Sequence, residues 1–307
     1  MHELSGTAES VEGGDAVEKP IPQFREMFVP YMTLVPGLSI AYPWVIVTSS
    51  FIEQSLLAFL TTGLTLAYAG KYCERVWGSN QLAIFLGIQS IVPNIVTWIL
   101  LYIVYVVTLN EGFLNSVVNG GLAIQMGYLV AFKQLVPEHS IILFHGVLKT
   151  KVKYLTMPAL LFYTVVGLAT RDVTVISLAW VGFFTSWAYL RFYKISYVDT
   201  ILPMSTSLAA SETEQVRIRG DASDTFSLSH FFYPAALREL ISAISGPVFS
   251  LLVAIKVCSP FSEDDVEAGN FRTSMRDTNK NNPAQDAETA DRRRALALKV
   301  LEERLQK

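Results

Sequence analysis

Charge is scarce in this chain. Only 17% of its 307 residues are Asp, Glu, Lys or Arg, where a soluble protein carries roughly a quarter. With 51% hydrophobic residues and a mean hydropathy of +0.37, that depletion excludes an ordinary soluble domain. The net charge of −3 leaves no basic excess for nucleic acid. Cysteine is nearly absent: Cys73 and Cys258 have neither metal-ligand nor disulfide-framework spacing, and each reads as a plain thiol. Histidine is confined to positions 2, 139, 145 and 230, all outside the apolar runs. No Asp/Glu/His cluster suits a metal, and there is no Gly-rich phosphate loop or paired carboxylate; no cofactor is expected.

What the chain has is apolar runs of membrane-spanning length. Residues 1–27 hold six acidic residues and no apolar core. They read as a disordered polar tail rather than a secretory leader. Met27–Ile52 is uncharged but interrupted by Pro30, Pro36, Gly37 and Pro43. It is either a kinked span or a loop half-sunk in the interface, with Tyr42 and Trp44 as interfacial groups. Phe51–Gly70, Leu82–Leu109 (with a kink at Pro93), Val117–Leu135, Val152–Ala169 and Val173–Tyr193 follow as clean spans. The predicted fold is therefore an all-α polytopic bundle of five or six spans, occupying residues 28–195.

Basic residues alternate along the loops. Lys71 and Arg75 follow one span; Lys133, Lys149, Lys151 and Lys153 follow another; Arg191 and Lys194 close the last. The positive-inside rule makes those segments, and the C-terminus, cytosolic. Beyond the bundle, residues 196–258 read as a cytosolic linker with juxtamembrane helices. In that part Phe231–Cys258, carrying Arg238, Glu239 and Gly246-Pro247, is expected as a broken helix pair rather than a span. Residues 259–290 read as a disordered linker. Residues 291–307 are predicted to form an amphipathic helix, with Leu298, Leu301 and Leu305 in register behind Arg292, and to dock a partner.

The central run is Val117–Leu135. It is uncharged until Lys133, and Gly120 and Gly127 stand seven apart, on one face of a helix. Small residues in a bilayer let a second helix approach closely. Gly182 and Ser186, four apart on the last span, form a matching pair. Glu53 and Glu74 are costly within hydrocarbon. Both lie near the ends of their span, and Glu74, followed by Trp77 and Gly78, reads as an interface anchor. Asn94, Asn119 and Gln125 read as polar contacts between helices.

Five blocks in order, KYCERVWG (71–78), LVAFKQ (129–134), SWAYLRFYK (186–194), Gly220-Asp221 with SDTF (223–226), and RRRALALKVLEERL (292–305), resemble the transmembrane protein 115 family. That resemblance implies a rhomboid-like bundle without protease activity and a Golgi membrane location. It also implies a role in Golgi organisation and Golgi-to-ER retrograde transport, with the conserved oligomeric Golgi tethering complex as partner. Family members resemble one another in an apolar first span, where this chain has the polar Thr7–Glu26. Set against a rhomboid protease, Leu122 falls at the position of the nucleophilic serine and Ala179 at that of the histidine, and neither moves a proton. The expected function is a scaffold or adaptor binding client membrane proteins. An unorthodox intramembrane hydrolase and a small-molecule transporter are the alternatives; a homo-oligomer is left open.

Overall fold

The computed structural model describes residues 31–143, 148–198, 216–233 and 235–254, with single positions between 261 and 273. The tail at 1–27, most of the 259–290 linker, and the terminal helix with Arg292, Leu298, Leu301 and Leu305 lie outside the described residues.

Among the described residues three helices are long and apolar enough to cross a membrane: α3 (Ser79–Thr108), α5 (Val152–Thr170) and α6 (Val173–Tyr193). A short helix α1 (Val45–Phe51) and the longer α2 (Leu56–Trp77) pass the same test together, but are bent by 97° at the break between them. Helix α3 runs on through Pro93. Asp172 caps α6, its Oδ1 accepting from the Thr174 amide at 2.9 Å.

The central helix departs from expectation. Helix α4 is Leu122–Leu135, 14 residues, about 21 Å long at 1.5 Å per residue and short of a bilayer core of about 30 Å. The apolar run was predicted to be helical from Val117. Instead, Val118 forms an antiparallel bridge with Leu34, and the Gly120 amide donates to the Ser49 carbonyl at 2.9 Å. Gly120 itself stands at φ +98°, outside any helix. Hydropathy cannot separate these cases, because both bury apolar side chains.

Residues 31–53 supply those partners. Met27–Ile52 is not one helix: its described part is a chain of short turns around Pro36 and Pro43, ending in α1. Asn94 of α3 holds it, its Nδ2 donating to the Ile46 carbonyl at 2.6 Å and to the Ser49 and Ser50 hydroxyls at 2.9 Å. Trp98 donates to the Pro36 carbonyl at 3.2 Å. Irregular backbone at membrane depth needs such enclosure, since lipid offers no hydrogen bonds.

Helix α4 touches α2, α3, α5 and α6. Ala123, Ile124, Met126, Tyr128, Val130 and Ala131 are all buried, and most of them join Phe85, Leu160, Ala179, Phe183 and Leu190 in the main core. Among the described residues the fold is all-α apart from two short strand pairs. Strand β1 (Ser140–Leu143) pairs antiparallel with β2 (Leu148–Lys151), and β3 (Ile195–Val198) with β4 (Val216–Arg219).

The segment after β4 is no loose linker. Gly220–Tyr233 folds back over the ends of α4 and α6 as a cap, burying Phe226 and Phe231. Next comes α7 (Ala235–Ala254), one helix with Pro247 inside it, where a broken pair was expected. Proline there removes one backbone bond but does not force a break.

Candidate functional site

At its first turn, α4 leaves amides without helical partners, as any helix does. Glu53 supplies one from 68 residues away: its Oε1 accepts from the Gly121 amide at 2.7 Å and from the Thr62 hydroxyl at 2.6 Å. The network continues inward. Gln125 Nε2 donates to Thr62 Oγ1 at 2.7 Å, and the Tyr163 hydroxyl donates to Gln125 Oε1 at 3.0 Å. Read from sequence as a span-end carboxylate, Glu53 instead orders the start of the central helix.

Leu122 opens α4 and packs against both apolar clusters, while Ala179 is wholly buried on α6. Gly120 does not share a helical face with Gly127, because α4 begins after it; a Cβ on Gly120 would run into the Glu53 carboxylate. Gly182 presses on Ala123, with 2.7 Å between the site of its missing Cβ and the Ala123 Cα. Ser186 Oγ donates to the Gly127 carbonyl at 3.0 Å. Gly127 makes room for Gln89, a residue that sequence reasoning missed within an apolar run. Gln89 Nε2 donates to the carbonyls of Ala123 and Gly182, at 2.6 and 2.7 Å, tying α3, α4 and α6 together.

Beside this network a lateral groove of about 780 Å³ opens between α2 and α5, with α4 as its floor. Gln125, Tyr128, Leu129 and Phe132 line the floor; Leu64, Tyr68 and Tyr72 form one wall, Ala159 and Tyr163 the other.

The opposite end of α4 meets the cap. Lys133, only 5% exposed, donates to the His230 carbonyl at 2.7 Å and lies 3.3 Å over the Phe231 ring. Gln134 donates to Asp221 at 2.9 Å. Arg191 donates to the carbonyls of Asp221 and Ser223. Lys194 sits 3.9 Å over the Trp77 ring. These basic residues, which mark the cytosolic segments in the sequence, are turned inward. Glu74 accepts from Ser79 at 2.6 Å across the Gly78 turn, where φ is +85°. Four of the five sequence blocks thus meet at one end of the bundle.

Groups in the loops there have displaced pKa values. Hydrogen bonds from Lys151 and Lys153 hold Glu138 below the usual carboxylate range. Burial, then the Arg238 and Lys133 cations, push His230 below the usual imidazole range.

The comparisons with known proteins agree with this architecture. Residues 6–307 match the model of a family described as eukaryotic integral membrane protein (DUF1751). The chain belongs to that family. Rhomboid-like protein 19 of Arabidopsis thaliana is 28% identical over 93% of this chain and 84% of its own length. The transmembrane protein 115 homolog of Saccharomyces cerevisiae is 29% identical over 94% and 84%. Human transmembrane protein 115 is 29% identical over 86% and 68%. No solved structure matches. The resemblance seen in the five blocks therefore extends over most of this DUF1751 chain, which is an integral membrane protein with rhomboid-like relatives.

Proposed function

We propose that this DUF1751 protein is a non-catalytic Golgi scaffold, which holds client transmembrane helices in the groove between α2 and α5. One observation carries the reading: the groove runs beside a helix start occupied by Leu122, Ala123 and a structural carboxylate, with no histidine in any span. Such a site offers shape and a few polar contacts, which is what lateral binding of a helix requires. A serine without a base has no route to activation in lipid.

The names of the relatives support a rhomboid-like origin. The family resemblance supports the Golgi location, the role in Golgi organisation and retrograde transport to the ER, and the conserved oligomeric Golgi tethering complex as cytosolic partner. Leu298, Leu301 and Leu305, on one face behind Arg292, are the residues proposed to dock that complex from a cytosolic C-terminus. Deleting 291–307, or changing Leu298 and Leu301 to Asp, is expected to weaken capture of the tether while leaving the detergent-extracted bundle as stable as before. Undiminished capture would defeat the docking assignment. Fluorophosphonate labelling abolished by a single serine-to-alanine change would instead revive hydrolysis.

A further inference from the structure

We propose that the groove selects helices bearing a hydroxyl or carboxamide side chain at mid-bilayer depth, opposite Tyr163 and Gln125. The proposal rests on reading the groove as a client site.

The direction of the hydrogen bonds sets the preference. Both bonds to Glu53 end on Oε1, so Gly121 and Thr62 are donors there. With its proton used, Thr62 accepts from the Gln125 amide nitrogen. The Gln125 oxygen therefore faces Tyr163 and takes its hydroxyl proton. Tyr163 lines the groove with only lone pairs left to offer. A lone pair left without a donor in hydrocarbon is unsatisfied. Ser, Thr, Asn and Gln carry the neutral donor that Tyr163 can accept; a carboxylate carries none, and an ammonium brings a charge into the bilayer.

Depth follows from helix geometry. Gln125 precedes the end of α4 at Leu135, with Lys133 in its last turn, by ten residues, which is about 15 Å of rise and half of a core of about 30 Å. The selected side chain therefore belongs near the middle of the client span, far from either interface.

The test places a photoreactive amino acid at Leu129 of the full-length protein in lipid nanodiscs. Synthetic poly-Leu spanning helices are then offered: all-Leu, one Thr or Asn at the centre, one Thr near an end, or a central Gly-Pro. Central Thr and Asn are expected to be captured about fivefold more than all-Leu. Tyr163→Phe should bring them to parity without lowering all-Leu capture. Equal capture of all-Leu, of end-placed Thr or of Gly-Pro would overturn the selection rule, as would a preference that survives Tyr163→Phe. Capture of no helix at all would remove the client reading itself, and the rule with it.

Discussion

The two ends of helix α4 solve one problem in different ways. At Gly121 the orphan amide lies at membrane depth, and a carboxylate brought from 68 residues away satisfies it. At Lys133 and Gln134 the helix ends among basic side chains, and a folded-back cap supplies carbonyls, an aromatic face and Asp221. The first end has no water to replace a lost partner; the second lies near the interface, where water can. Equivalent losses should therefore cost more at Gly121 than at Lys133.

The largest expected effect is at the contact between α4 and α6 beside the Gly121 end. Gly182→Leu drives a side chain into the Ala123 backbone and should cost about 3 kcal/mol or more, read as a large fall in detergent Tm. An unchanged Tm would count against this packing. Next is Glu53→Leu, which strands the Gly121 amide and the Thr62 hydroxyl together; a loss of about 2–3 kcal/mol is expected. Lys133→Met keeps the stem but removes the ammonium, and about 1 kcal/mol is expected. Thermal unfolding of the two variants side by side tests the comparison, which breaks if Lys133→Met is the more damaging.

A pH effect is expected in the cap. The His230 pKa is lowered in the folded protein, so the cap prefers the neutral ring. That contribution is present above the ordinary imidazole range near 6.5 and is lost as pH falls through it. Hydrogen exchange at 227–233 should quicken on acidification while the amides of α4 stay protected. Smallest is Glu74→Ala, which removes one exposed bond to Ser79 and should cost about 0.5 kcal/mol.

Much of the bundle was legible in the sequence, because a span is a statement about apolar length. Runs 82–109, 152–169 and 173–193 nearly coincide with α3, α5 and α6. What hydropathy misses is the direction in which a polar group points. Glu53, Gln89 and Lys133 each look like a local feature of its own run, yet each is bonded to residues 34 to 97 positions away. The start of α4 was hidden for the same reason: 117–121 is uncharged in either conformation, and only its pairing with Leu34 and Ser49 decides which one forms. The cap read as a linker, since its carbonyls accept from Arg191 and Lys133 and its polar residues bond one another, around just two buried aromatic rings.

The most direct measurement of the central claim is the fate of a client helix in the groove. A spanning peptide carrying a central Thr, cross-linked through Leu129 in nanodiscs, should be recovered with its full mass after prolonged incubation: held at the floor of α4 and uncut. No cross-link at Leu129, or a cross-linked peptide shortened by cleavage within its span, would contradict the account.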